Sequence, residues 1–238
     1  MKKIFPLFIL LILWNALIAQ DAKTDQDTLK NPKVFISGFG GLMSETSILK
    51  KNISESLGVG GALMINNYFF IGAYGLTLVT YHSINDLVIP AEYVLDGKPE
   101  YYKGKPLRTN FSHAGVWIGG VFFPKKTVHL GISSRFGWGN IHLSDSVNNS
   151  YVDNVDYRLD YTNDKVFVIT PQVELDIKAT SWLKINIGLG YRFVTGISFD
   201  RYKEFRFNTP QLTIGVYFGG FGPEKNNSLP EEEDEEKN

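Results

Sequence analysis

Residues 182–193 read WLKINIGLGYRF, and from Leu183 onward apolar positions alternate with polar or glycine positions without a break. Every second residue from Leu183 to Phe193 is a large apolar or aromatic one, while the positions between hold Lys184, Arg192, an asparagine and two glycines. Successive side chains of a β-strand point to opposite faces of the sheet. Strict alternation over this length therefore predicts a strand with one apolar face and one polar face.

The same period of two recurs along the rest of the chain. It is clean in residues 128–138, 167–177 and 211–217, and looser in the Gly-rich and aromatic residues 33–43, 56–65, 68–81 and 110–123. Periodicity of two bounded by turn residues is the pattern of β-strands. Eight strands are predicted, each long enough to cross a bilayer at a tilt.

The connections between these strands alternate in length. Short turns are predicted at residues 66–67, 124–127 and 179–181, and long polar segments at residues 44–55, 82–109, 144–164 and 196–208. Outer-membrane barrels have short periplasmic turns and longer extracellular loops. The pattern predicts an all-β fold, an eight-stranded antiparallel up-and-down transmembrane β-barrel with both termini on the periplasmic side. The alternative is a soluble lipocalin-like barrel or a sandwich, whose strands alternate in the same way.

Two observations favour lipid on the outside. The apolar face of the clean strands is almost free of charged residues, each of which would cost up to about 2 to 4 kcal/mol at the bilayer midplane. Aromatic residues also collect near the predicted strand ends, as they do in interfacial girdles. The predicted girdle consists of Tyr68, Phe69, Phe70, Phe122, Phe123, Trp138, Trp182, Phe193, Phe218 and Phe221.

The two ends of the chain differ from the barrel. Lys2 and Lys3 precede an apolar run that ends in small residues, which is the plan of a signal peptide comprising residues 1–19. Residues 20–32 are predicted to be a flexible periplasmic lead, and residues 33–221 the barrel. Residues 222–238 are rich in glutamate and are predicted to be a disordered acidic periplasmic tail.

The composition excludes several classes of function. The chain has no cysteine, which excludes disulfides and thiolate metal sites. Its 24 Lys and Arg residues against 25 Asp and Glu residues leave a formal net charge of −1, so no nucleic-acid partner is expected.

Three motifs carry a resemblance to a known family. Residues 34–41 (VFISGFGG), 66–72 (NNYFFIG) and 182–196 (WLKINIGLGYRFVTG) are similar to sequences of the small eight-stranded outer-membrane β-barrel proteins of Gram-negative bacteria. The resemblance covers residues 34–221, and the three motifs look like those of one branch of exported barrels. It implies an outer-membrane location, contact with outer-membrane lipid, and insertion by the barrel insertion machinery. Many such proteins end at an aromatic residue of the last strand, whereas this chain continues to Asn238.

The polar faces of the strands predict the content of the lumen. An eight-stranded barrel has room inside for side chains only, so charges there must pair with one another. A three-residue turn at residues 179–181 would place Asp176 opposite Lys184, and Arg135 is expected to join Glu174. The predicted lumen polar network consists of Arg135, Gln172, Glu174, Asp176, Lys184, Asn186 and Arg192. Because these side chains would occupy the narrow interior, the lumen is predicted to be plugged.

No cofactor or metal site is predicted, because the four histidines lack metal-ligand spacing. The string His142, Leu143 and Ser144, followed by Asp156, is similar to the catalytic residues of outer-membrane lipid A deacylases, in which a histidine activates a serine. Strand parity instead directs His142 towards lipid. The aspartates of residues 144–164 are either a solvated rim or a Ca²⁺ site.

These observations together predict a non-enzymatic outer-membrane barrel with a structural or surface-interaction role. Residues 82–109 and 144–164 are the expected contact surface for an extracellular partner. A narrow transport channel and a lipid-modifying enzyme are the alternatives.

Overall fold

The computed structural model describes residues 34–84, 87–89, 100–101, 107–145 and 162–221. The predicted signal peptide, periplasmic lead and acidic tail lie outside these residues, as do most of residues 82–109 and 144–164. No helix in the described ranges is long and apolar enough to span a membrane.

The described residues form strands and one short helix. In chain order the strands are β1 (Ile36–Leu49), β2 (Asn52–Ile65), β3 (Phe69–Leu78), β4 (Ser83–Ile84), β5 (Val88–Ile89), β6 (Glu100–Tyr101), β7 (Leu107–Phe122), β8 (Val128–Asp145), β9 (Asp164–Lys178), β10 (Leu183–Thr195) and β11 (Thr209–Gly219). Helix α1 (Asp200–Lys203) lies between β10 and β11.

In the described part of the chain, the eight long strands form one closed antiparallel barrel. Each long strand pairs with the next one along the chain, and β3 pairs with β7. The last strand returns to the first, with Leu42 of β1 opposite Val216 of β11. The short strand β4 also pairs with β7, with Ser83 opposite Arg108. The predicted eight-stranded up-and-down barrel is confirmed.

The predicted long loop at residues 44–55 is wrong. Strands β1 and β2 pair along their whole length up to Leu49 opposite Asn52, so that only Lys50 and Lys51 form the turn. Both lysines have positive φ, 48° and 66°, which is the conformation that tight two-residue hairpin turns use. The sequence conceals these strand ends because residues 44–47 and 54–56 are polar on both faces and show no alternation with apolar residues.

The outward face of the barrel is apolar over a broad belt. On β8 the outward residues Val128, Leu130 and Ile132 are about half exposed, and Trp138 is 64% exposed. At about 3.3 Å per residue and a tilt near 40°, the stretch from Val128 to Trp138 spans roughly 25 Å, the height of the apolar band of a membrane barrel. A soluble barrel would bury this face, so the soluble alternative is wrong.

Polar groups mark the edge of the belt away from the short-turn end on the β7–β8 hairpin. Beyond Trp138 the outward positions are polar: Ser112 donates a 3.1 Å hydrogen bond to Asn140, and Asn110 donates a 2.6 Å hydrogen bond to Ser144. The two strands therefore extend past the apolar belt, because their outward positions change from apolar to polar without a break in pairing.

The inward face carries two apolar clusters. The cluster towards the short-turn end contains Phe39, Met43, Ala62, Met64, Phe70, Tyr74, Leu76, Trp117, Val121, Tyr217 and Phe221. The cluster at the opposite end contains Leu49, Leu78, Ile84, Leu87, Leu107, Phe111, Ile141, Leu143, Val166, Val168, Val194, Tyr202, Phe205 and Phe207. Buried polar and charged side chains accompany these clusters in the interior.

Candidate functional site in the barrel interior

The centre of the interior is organised around one carboxylate. Glu45 Oε2 accepts a 2.6 Å hydrogen bond from Arg135 Nη2, and Glu45 Oε1 accepts a 2.8 Å hydrogen bond from Arg192 Nη1. All three side chains are fully buried. Charge-assisted bonds of this length offset part of the desolvation cost of burying the three ions.

Both guanidinium groups have further neutral partners. Arg135 Nη2 lies 3.3 Å from Gln172 Oε1 and 3.3 Å from Thr213 Oγ1. Arg192 donates from Nε to the backbone oxygen of Phe207 at 3.2 Å, and its guanidinium lies 5.1 Å from the ring centre of Phe111. The two arginines are therefore held from several directions in the middle of the barrel interior.

A second group of charges surrounds Asp176. Lys184 Nζ donates to Asp176 Oδ2 at 3.1 Å, Asn186 Nδ2 donates to Asp176 Oδ1 at 2.7 Å, and His129 Nε2 lies 3.3 Å from Oδ2. The Lys184 ammonium also lies 4.6 Å from the ring centre of Phe39, a cation–π contact. Lys184 thus connects the polar network to the apolar cluster at the short-turn end.

Glu174 is bound by neutral groups. Its carboxylate accepts hydrogen bonds from Ser133 Oγ at 2.6 Å and from Gln172 Nε2, and Ser133 in turn accepts a 3.1 Å bond from Trp117 Nε1. The predicted pairing of Arg135 with Glu174 is wrong. Arg135 instead pairs with Glu45, a residue of the segment that the sequence predicts to be a loop.

The structure places all seven residues of the predicted lumen network in the interior: Arg135, Gln172, Glu174, Asp176, Lys184, Asn186 and Arg192 are buried. Glu45, Thr213, His129 and Ser133 belong with them. His129 and Ser133 lie on the polar face of the predicted strand 128–138, so strand parity is the signal that could have found them. Glu45 has the parity of Phe39 and Met43, but this signal requires recognising that β1 continues to Leu49.

The predicted register of the β9–β10 hairpin is shifted by two. Lys184 lies opposite Lys178 and Asn186 lies opposite Asp176, whereas a three-residue turn would place Lys184 opposite Asp176. The turn is longer because the Thr180 side-chain oxygen accepts hydrogen bonds from the backbone N–H groups of Trp182 and Leu183 at 3.2 and 3.0 Å. Lys184 reaches Asp176 diagonally across the two strands.

Two residues of the predicted aromatic girdle lie inside the barrel. Phe70 is 4% exposed and packs on Trp117 with ring centres 5.0 Å apart, because it alternates with the outward residues Phe69 and Ile71. Phe221 follows the end of β11, and its backbone N–H donates to the backbone oxygen of Ser181 at 2.8 Å, which turns the chain back into the lumen. The other members are exposed on the outside: Tyr68, Phe69, Phe122, Phe123, Trp138, Trp182, Phe193 and Phe218.

Residues 196–208 enter the barrel mouth opposite the short-turn end, although the sequence predicts a long polar loop there. Tyr202, Phe205 and Phe207 are fully buried, and the Tyr202 hydroxyl donates a 2.7 Å hydrogen bond to the backbone oxygen of Thr162. Asp164 fixes the start of this segment, because its Oδ2 accepts from the backbone N–H groups of Ser198 and Phe199 at 2.8 and 2.9 Å. We call residues 196–208 the mouth segment.

A histidine lies beside the mouth segment, beyond the end of β3. His82 Nε2 is 2.7 Å from Ser54 Oγ, and its ring centre is 6.1 Å from that of Phe205. Burial, and secondly the positive charge of Lys50, lower the pKa of His82 below its ordinary value of 6.5. The neutral imidazole is therefore the form that the fold favours.

The structure does not bring His142 and Ser144 together as a histidine–serine pair of the deacylase type. His142 points outward, with its Nδ1 3.3 Å from Asn140 Nδ2, and Ser144 accepts from Asn110. Asp156 lies outside the described residues, as do Asp153, Asp160 and the side chain of Asp145. Within the described ranges no group of three or more His, Asp or Glu side chains is placed to hold a metal ion.

A closed eight-stranded antiparallel barrel, apolar outside and filled with paired charges inside, is the architecture of outer-membrane β-barrel proteins. The chain is a protein of that class, and its place is the outer membrane. No family model and no curated protein matches the sequence.

Several solved structures are similar in strand arrangement. Neisserial surface protein A has 8% identity and a TM-score of 0.44, over 79% of this chain and 99% of that one. Ail of Yersinia pestis has 10% identity and a TM-score of 0.43, over 77% and 97%. A major outer membrane protein of Thermus thermophilus has 9% identity and a TM-score of 0.45, over 77% and 98%. The class of this chain is defined by its own strand pairing and apolar belt.

Proposed function

We propose that the protein is a non-conducting, non-enzymatic barrel with a structural or surface-interaction role. The observation that carries the proposal is the succession of buried side chains along the interior. Phe39 and Phe221 pack at the short-turn end, the Glu45 ion pairs occupy the middle, and Tyr202 and Phe205 pack at the extracellular end. An eight-stranded barrel is just wide enough for side chains to fill.

Conductance across a planar bilayer tests the closed lumen. The purified full-length protein is expected to give no steady single-channel current. Insertion is verified by recovering the protein from proteoliposomes and comparing its gel migration with and without boiling. Stable unitary currents from the wild type would instead favour the alternative function, a narrow transport channel.

The surface role would use residues 82–109 and 144–164, and the proposal places these two segments on the extracellular side of the membrane. We expect a protease added to intact cells to cut within these two segments, while an epitope on residues 222–238 stays protected until the envelope is opened. A tail epitope that is accessible on intact cells would invert this topology. The mature protein isolated from these cells should begin at Gln20 in N-terminal sequencing, as expected after cleavage of residues 1–19.

The lipid-modifying alternative is tested at the only serine of the deacylase-like string. The hydroxyl of Ser144 has Asn110 as its partner, and His142 is next to Asn140. We therefore expect Ser144→Ala to leave the acylation of lipid A unchanged when the protein is overproduced. A change in acylation that depends on Ser144 would restore the enzymatic alternative.

A further inference from the structure

A concave groove interrupts the apolar belt on the outside of the barrel. It has a volume of about 930 Å³ and extends from the short-turn ends of β3 and β7 across β8 and β9 to Leu189. Phe69 and Phe122 form its wall at the short-turn end. Among its outward positions, Gly120 has no side chain and Ser134 and Pro171 have short ones, and this leaves the space open.

Of the two glycines that line this groove, Gly120 has room for a side chain. A Cβ atom at Gly120 would lie 3.7 Å from the backbone oxygen of Tyr68 and 3.8 Å from the ring of Phe69, which are ordinary contacts. A larger residue at position 120 would therefore project into the groove with little strain on the barrel.

Lysines lie in the turns next to the short-turn end of the groove. The turn after Phe122 carries Lys125 and Lys126, both exposed, and the Lys126 ammonium lies 5.1 Å from the ring centre of Phe123. Lys178 in the neighbouring hairpin donates to the backbone oxygen of Pro124. The described turns at residues 66–68, 123–127 and 179–182 contain no acidic residue. An apolar groove that ends at clustered lysines is complementary to a molecule with apolar chains and an anionic head.

We propose that this groove binds an anionic phospholipid of the periplasmic leaflet. An acyl chain lies in the groove along Gly120, Ser134 and Pro171, and the phosphate group lies at Lys125 and Lys126. Burial of methylene groups provides affinity, and the lysines provide preference for a negative head group. The site is on the outside of the barrel, so it does not depend on whether the lumen conducts.

Native mass spectrometry of the full-length protein in detergent tests the site. The probes are 1-palmitoyl-2-oleoyl phosphatidylglycerol and the phosphatidylcholine with the same chains. We expect the wild type to retain one phosphatidylglycerol in preference to phosphatidylcholine. Gly120→Leu should weaken this binding at least about fivefold, equivalent to ~1 kcal/mol. Lys125→Gln combined with Lys126→Gln should weaken it by about fivefold for each lysine.

Gly40→Leu is the matched control. Gly40 also faces outward in the belt, on β1, and a Cβ atom there would lie 3.6 Å from the backbone oxygen of Gly60. This variant should bind phosphatidylglycerol like the wild type. Folding of every variant is checked by heat-dependent gel migration, and Ser134→Leu replaces Gly120→Leu if the latter does not fold.

Three results would overturn the proposal. The first is that folded Gly120→Leu binds phosphatidylglycerol as tightly as the wild type does. The second is that Gly40→Leu weakens this binding as much as Gly120→Leu does. The third is that the wild type binds phosphatidylglycerol and phosphatidylcholine with the same affinity. A wild-type dimer without bound lipid that Gly120→Leu converts to a monomer would assign the groove to a second copy of this chain instead.

Discussion

Glu45 on β1 and Arg192 on β10 form a 2.8 Å ion pair across the barrel interior, although 147 residues separate them in the sequence. The same carboxylate binds Arg135 of β8 at 2.6 Å. One acidic side chain therefore connects three strands, and it lies in a part of β1 that has no apolar alternation. Because all three ions are buried, removal of the shared carboxylate leaves two guanidinium groups without their counter-ion.

Substitution of Glu45 should strongly destabilise the barrel. Loss of one partner of a buried ion pair costs about 3 to 5 kcal/mol, and we expect Glu45→Gln to lower the free energy of unfolding by that amount. The measurement is urea-induced unfolding in lipid vesicles. Glu55→Gln is the matched control, because Glu55 lies on the outward face of the same hairpin and is bound by Ser44 and Thr46. An equal loss in both variants would contradict the central role of Glu45.

Lys184 and Asp176 should be energetically coupled. Lys184→Met leaves the buried Asp176 without its ammonium partner, and Asp176→Asn leaves the ammonium without its carboxylate, so each single variant loses stability. The double variant removes both charges and should recover a coupling energy of about 0.5 to 3 kcal/mol. The four proteins are compared by the same unfolding assay. If the losses of stability in the two single variants simply added up in the double variant, the interaction between Lys184 and Asp176 would contribute nothing to stability.

Asp164 should hold the mouth segment in place. Asp164→Ala removes the acceptor for the backbone N–H groups of Ser198 and Phe199. We expect trypsin to cut at Arg201 and Lys203 at least about tenfold faster in proteoliposomes, because the rate follows the population of the locally open state. The control is Asp200→Ala, which removes only an exposed contact with Lys203. Equal protection of the two variants would refute this role.

His82 should make the stability of the barrel depend on pH. The pKa of His82 is lowered in the folded protein, so the unfolded chain binds a proton below its ordinary value of 6.5 while the folded chain does not. The free energy of unfolding therefore falls as the pH drops below about 6.5 and stops falling below the folded pKa. Wild type should lose more stability between pH 7.5 and pH 5 than His82→Gln. An identical pH dependence of the two proteins would contradict the assignment.

The sequence predicted the barrel well where the environment differs between the two faces of a strand. In residues 182–193 one face meets lipid and the other meets the polar interior, so the alternation is unbroken and the strand is evident. In residues 44–47 and 54–56 both faces carry polar side chains, and the apolar residues Ile48, Leu49 and Ile53 stand next to the turn, so the alternation of apolar and polar positions disappears. Glu45 was missed for this reason, although it is the shared acceptor of the lumen network.

The sequence by itself determined the number of long strands, their antiparallel order and the polar face of most of them, because the period of two is a local property of an extended chain. Tertiary structure decided which groups meet. The Thr180 side chain lengthened one turn and shifted the register, so that Asp176 lies opposite Asn186. Closure of the barrel brought Glu45 to Arg135 and Arg192, and apolar burial drew the mouth segment and Phe221 inward. These contacts depend on distances across the closed barrel, which no local pattern of residues encodes.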